Sequence, residues 1–131
     1  METVNKMWGK EEIIENNKKY CLKFLLFTCR WMNSWHFHYE KDETFYVQEG
    51  IFYVRTLNNE TLEAKEGLLY PGDSIRIKPK TFHRLCGLNY YNKIIEVSTS
   101  FKKNDVKRFE MGREVYGVEE CELRKKERYL K

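Results

Sequence analysis

Residues 35–50 read WHFHYEKDETFYVQEG, and residues 71–83 read PGDSIRIKPKTFH. Together they set His36, His38, Glu43 and His83 in one pattern. Side chains on a strand alternate faces, so His36 and His38 point the same way. Neutral imidazoles with one carboxylate suit a divalent transition metal. A lone His-x-His usually marks two ordinary surface or core histidines, and a motif alone is a hypothesis. Here the three histidines are the only ones in the chain, and all fall in the pattern. Gly50 permits a tight reversal after the Glu43 run. Pro71-Gly72 opens the segment that ends in His83.

Outward from these stretches the chain reads as strand after strand. Residues 11–15 and 20–29 are β-rich runs joined by the turn signal Asn16-Asn17-Lys18. Residues 35–39 carry two histidines. Residues 43–48 alternate, with Glu43, Phe45 and Val47 on one face. Residues 51–57 and 61–64 flank Asn58-Asn59, a hairpin signal. In residues 74–77, Ile75 and Ile77 share a face and Arg76 takes the other. Residues 83–86 and 93–99 follow. Short, closely spaced strands predict an all-β sandwich or barrel. A short helix is expected only over residues 119–130, where charges alternate and apolar positions are few. The simplest expectation for that helix is a solvated one; covering a barrel end or meeting a partner are the alternatives.

The pattern resembles the cupins. Their first motif has the form G-x5-H-x-H-x3,4-E-x6-G, and His36, His38, Glu43 and Gly50 match its last four positions. Their second motif matches at Gly72, Pro79 and His83. KDETFYV, PGDSIRI, HRL and IIEVST further resemble small single-domain cupins related to D-lyxose and mannose-phosphate isomerases. The likeness runs over about residues 4–108. Arg30 stands where the motif has its first glycine, and Lys78 and Lys80 replace a frequent proline and a loop glycine. No metal ligand is among these departures. The resemblance implies a double-stranded β-helix, or jelly-roll barrel, over residues 1–110, with residues 111–131 as a C-terminal extension. It also implies a homodimer, with the 11–15 run as a candidate for strand exchange.

On that resemblance His36, His38, Glu43 and His83 would hold a six-coordinate metal with two open positions. Manganese is the first choice, as an octahedral, redox-quiet Lewis acid; zinc is next, and iron, cobalt or nickel also suit the ligands. The implied chemistry is sugar or sugar-phosphate isomerisation through a metal-stabilised enediolate. A base must move a proton between adjacent carbons. Glu96, between apolar neighbours in IIEVST, is the candidate, or else forms a salt bridge on the outer face. Lys23, within CLKFLLF, either contacts a substrate oxyanion or hydroxyl or points outward. Arg76 and Arg84 are candidate phosphate contacts at the rim. Trp35 and Phe45 are candidate substrate-lining aromatics, with core packing as the alternative. A non-catalytic sugar-binding or regulatory cupin and a cupin oxygenase are the other functional classes.

Composition bounds the rest. The 131 residues suit one domain, with 41% apolar and 15% aromatic content. The net charge of +4 is mild, and no concentrated basic face points to nucleic acid. It would favour an anionic small molecule such as a sugar phosphate or nucleotide sugar, with ordinary solvated lysines as the simpler reading. No apolar run reaches membrane-span length, and residues 1–12 show no signal-peptide pattern. A cytoplasmic location is expected. Cys21, Cys29, Cys86 and Cys121 show no zinc-type spacing and read as reduced thiols.

Overall fold

The computed structural model describes residues 1–130. Its strands are β1 (Glu2–Lys6), β2 (Gly9–Asn16), β3 (Cys21–Thr28), β4 (Trp31–Met32), β5 (Trp35–Phe37), β6 (Glu43–Glu49) and β7 (Phe52–Asn58). They continue with β8 (Ala64–Leu69), β9 (Ser74–Ile77), β10 (Thr81–Gly87), β11 (Tyr91–Ser98), β12 (Lys107–Glu110) and β13 (Arg113–Glu114). One helix, α1 (Gly117–Arg124), follows.

The strands form two antiparallel sheets, as the expected jelly roll requires. The first runs β1-β2-β3-β11-β6-β9. The second is built around β10, with β4 and β5 on one side and β7 then β8 on the other. β12 extends it beyond β5, and β13 beyond β4.

Alternation decides what faces inward. On β3 the buried positions are Cys21, Lys23, Leu25 and Phe27; on β11 they are Asn92, Ile94, Glu96 and Ser98. Glu43, Phe45 and Val47 on β6 and Ile75 and Ile77 on β9 follow suit. Register then aligns them. Lys23 pairs with Glu96, Glu96 with Phe45, and Phe45 with Ile75, one row across the sheet. Below that row lies a dry core of Leu25, Phe27, Val47, Phe52, Val54, Leu69, Leu85 and Ile94. Trp8 caps it by stacking on Phe27, ring centroids 4.2 Å apart. Each such side chain contributes about 1.5–3 kcal/mol on leaving water, which offsets the cost of burying the charged row.

β7 and β10 are buried on both faces. Their outer side chains, Tyr53 and Cys86, form a second cluster with Met32, Leu68 and Leu88, covered by Val115 and Leu123. The C-terminal segment is therefore a cover and not a solvated helix. α1 ends at Arg124, short of the expected 130, and the chain then extends along β8. Leu68 N–H donates to Glu127 O (2.8 Å), and Tyr129 N–H donates to Leu68 O (2.9 Å). This added strand shields a sheet edge.

Two further expectations shift. The strand expected over 61–64 begins only at Ala64. Asn58 Oδ1 accepts from the N–H groups of Glu60 and Thr61, which prolongs the turn. β1, β12 and β13 escaped the pattern because they are short and mostly exposed. The 11–15 run lies inside β2 and is paired on both sides within the chain, which leaves β1 at the edge.

Candidate metal centre and cavity

His36 and His83 face each other across β5 and β10, and His38 follows just after β5. One ring nitrogen from each of the three lies within 4.8 Å of the others. Each Nδ1 contacts a carbonyl: His36 with Ser34 O (2.8 Å), His38 with Asp105 O (2.8 Å) and His83 with Thr81 O (2.9 Å). A carbonyl only accepts, so each Nδ1 carries the proton and each Nε2 keeps a free lone pair. That is how a metal-ligating imidazole is usually held.

Glu43 comes from the opposite sheet. Its Oε2 lies 3.2 Å from His83 Nε2 and 3.6 Å from His38 Nε2. Glu43 Oε2 and His83 Nε2 are both buried without a hydrogen-bond partner among the described residues. Buried polar atoms are rarely left this way. The two orphaned atoms and the preset tautomers fit a divalent cation at this point.

Charge follows the same logic. Burial, then the neighbouring His83 and His38, hold His36 well below the ordinary imidazole range. Burial also brings His38 down to about 4, against the pull of Glu43. Both are therefore neutral, as ligation requires. Burial alone would raise the Glu43 carboxyl, but Lys41 and then His83 overcome it and hold the group far below the carboxylate range.

Lys41 is the residue that the sequence pattern missed. It is 5% exposed, with Nζ 3.4 Å from Glu43 Oε1 and 2.8 Å from Glu96 Oε2. It occupies one oxygen of Glu43 and leaves the other to the histidines. Its backbone N–H and that of Glu40 donate to the Asp105 carboxylate (3.0 and 2.9 Å). Asp105 thus fixes both Lys41 and His38. Lys41 lies in a loop, where periodicity carries no signal. Its position two residues before Glu43 was the one available hint.

A cavity of ≈ 800 Å³ opens onto these groups. His36, His38, Glu43, His83, Lys41, Glu96, Lys23 and Phe45 line it, with Phe101 to Asn104 and Arg108 along another wall. Glu96 faces inward, not outward as a surface salt bridge would, and burial raises its pKa despite Lys41. Lys23 also turns inward, 1% exposed.

Three candidate substrate contacts lie away from this cavity. Arg76 is exposed and grips Asp42 through Nε (3.1 Å) and Nη2 (2.6 Å). Arg84 is buried on the outer face of β10, where it donates to Asn33 O, Met111 O and Glu110. Trp35 stacks on Phe82 (5.5 Å) beneath the Arg55 guanidinium. Each shares a strand with inward-facing residues but has the opposite parity or outward packing.

A family model described as mannose-6-phosphate isomerase C-terminal matches residues 1–111. No curated protein matches the chain. Among solved structures, KdgF from a Halomonas species is 20% identical, over 72% of this chain and 81% of that one, with a TM-score of 0.62. A variant of Bacillus subtilis oxalate decarboxylase is 14% identical, over 82% of this chain and 30% of that one, with a TM-score of 0.74. The Lactobacillus farciminis oxalate decarboxylase in complex with formate is 13% identical, over 82% and 33%, with a TM-score of 0.73. At these identities the likeness is one of fold. The chain spans about a third of the decarboxylases' length.

Proposed function

The chain belongs to the mannose-6-phosphate isomerase C-terminal family of cupins, and from that premise we propose that it isomerises or epimerises a sugar or sugar phosphate with a bound divalent metal. The carrying observation is the cluster of three histidine ring nitrogens beside the orphaned Glu43 Oε2, which lies close to His83 and His38, inside a cavity that also holds a buried carboxyl. His36, His38, Glu43 and His83 would hold the metal, manganese first and zinc next, with iron, cobalt or nickel also compatible. Bound there, it would supply a Lewis acid for the carbonyl and hydroxyl oxygens of an open-chain sugar.

The protein groups do the remainder. Glu96 takes the proton from one carbon and returns it to the neighbour, a task suited to a carboxyl whose affinity for protons burial has raised. Lys41 fixes Glu96 and Glu43 relative to each other. Phe45, beside Glu96 in the row, walls the cavity with apolar surface and keeps water from the exchanging proton. Arg76 and Arg84 have carboxylate or carbonyl partners of their own and take no part. The proposal includes a cytoplasmic location, in keeping with four free cysteines, and a homodimer that pairs through β1 at the sheet edge. No helix is long and apolar enough to cross a membrane.

Elemental analysis of untagged protein tests the centre. About one equivalent of divalent metal should be present and be lost in His36→Ala. Aldoses, ketoses and their phosphates are then screened in D2O for exchange at carbon. Glu96→Gln should keep the metal and lose exchange by on the order of a hundredfold or more. A Glu96→Gln variant with full exchange, or a protein that refuses metal, sinks the proposal.

A further inference from the structure

Lys23 has no place in the metal centre or in the proton transfer. Its side chain is almost wholly buried, yet it lines the cavity. The nearest carboxylate oxygen, Glu11 Oε1, is 3.7 Å from Nζ, too far for a hydrogen bond. The Phe101 ring lies 3.8 Å from Nζ. An ammonium has three N–H donors, and among the described residues none reaches a hydrogen-bond acceptor. Buried charges are ordinarily paired and hydrogen-bonded. An ammonium left short of acceptors in a cavity wall points to an acceptor brought by the ligand.

Position narrows the ligand. Lys23 stands directly opposite Glu96 in the β3–β11 register, so their β-carbons are about 5 Å apart. A group held by Lys23 therefore shares this part of the cavity with the carbon whose proton Glu96 moves. A phosphate dianion asks for several donors, and here it would sit beside the Glu11 carboxylate. A carboxylate needs less charge and fits a single ammonium. Of the other lining cations, Lys41 is already engaged by Glu43 and Glu96, and Lys6, Lys102, Lys103 and Arg108 are exposed and would draw an anion in from solvent.

We propose that Lys23 anchors a substrate carboxylate, so that the substrate is an acidic sugar. The substrate class rests on the isomerase proposal; the anion preference does not.

Calorimetry with D-glucuronate, D-glucose and D-glucose 6-phosphate at matched ionic strength tests this, on metal-loaded and on chelator-treated protein. Wild type should prefer glucuronate to glucose by on the order of tenfold in both forms. Lys23→Met and Lys23→Gln should each lose that preference, and Lys23→Arg should recover part of it. Ligand-free Lys23→Met should melt close to wild type, because the lost ammonium holds Glu11 only at 3.7 Å and otherwise faces the Phe101 ring. Equal binding of glucuronate and glucose by wild type overturns the assignment. So does a preference that survives both neutral variants, or stronger binding of the phosphate than of the uronate. A marked drop in the melting temperature of both neutral variants would make Lys23 a structural ion-pair partner and also overturn it. Because the preference is read without metal, it can stand or fall independently of metal content and turnover.

Discussion

Lys80 holds φ at 63° and Arg30 at 69°, at the two positions where the cupin motifs carry glycine. The backbone has kept the glycine conformation while the side chain has changed. Left-handed geometry costs a residue with a Cβ about 1–2 kcal/mol. Lys80 is exposed, and its N–H donates to His38 O (2.7 Å), a bond that glycine keeps. Glycine gives back about 0.4–1 kcal/mol through unfolded-chain entropy. Lys80→Gly should therefore stabilise the protein by about 0.5–1 kcal/mol and raise the melting temperature by about 2–4 °C. Calorimetric melting reads this directly, and a lower melting temperature would refute the account. Arg30 is a poorer choice, because its guanidinium binds Glu114 at 3.1 Å. Legibility at this scale followed chemistry. His36, His38, Glu43 and His83 could be found because rare residue types stood at strand spacing. Arg76 could have been set aside, since Ile75 and Ile77 already claimed the inward face of β9. Lys23 could not be oriented, because CLKFLLF is apolar at both parities; only its pairing with Glu96 turns it inward.

At the scale of elements, the core strands were readable and the C-terminal cover was not. Period-two alternation marks β6 and β9, and apolar β-rich runs mark β3 and β11. The cover has a helix with only Leu123 buried, and its extended end carries Glu127, Arg128 and Tyr129. Such polarity reads as solvated until β8 supplies a partner. Gly67 on β8 shows how close that docking is. A Cβ there would meet Tyr129 N at 2.6 Å and Glu127 O at 2.8 Å, both backbone atoms. Tyr129 is held in turn by its hydroxyl against Thr56 Oγ1 at 2.8 Å. Gly67→Ala should destabilise the full chain by about 1–3 kcal/mol through overpacking. In a chain shortened to residue 125 the obstacle is gone. The same substitution should then be neutral or stabilising by about 0.5 kcal/mol, as alanine is in an ordinary strand. Urea unfolding of the four proteins gives the coupling energy. Equal costs in both backgrounds would mean that the tail does not dock on β8.

Across the whole molecule, the two faces of the second sheet carry different burdens. The inner face holds the histidines and meets Glu43 and Lys41, a buried polar cluster that the proposed chemistry needs and that costs stability. The outer face holds Tyr53, Cys86 and Leu68 beneath the cover and serves stability alone. Two titratable groups on that face, Cys86 and Tyr53, set an alkaline limit. Burial, then Cys29, pushes the Cys86 thiol up to about 12 from an ordinary 9.0. Burial, then Glu66, pushes the Tyr53 phenol up to about 12 from an ordinary 10.0. Above pH 9 the unfolded chain sheds these protons while the folded chain retains them, so folding binds more protons than unfolding does. Stability is then complete below pH 9 and falls as pH rises towards 12. For Cys86, fully buried, the full loss is on the order of 4 kcal/mol. Urea midpoints should therefore hold from pH 7.5 to about 9 and decline by pH 10.5, and Cys86→Ala should decline less steeply from a slightly lower start. The slope should be the same with and without chelator, since the titrating cluster lies across the sheet from the candidate metal centre. A slope unchanged by Cys86→Ala would place the alkaline limit elsewhere; a slope altered by chelation would mean that the two faces are energetically joined.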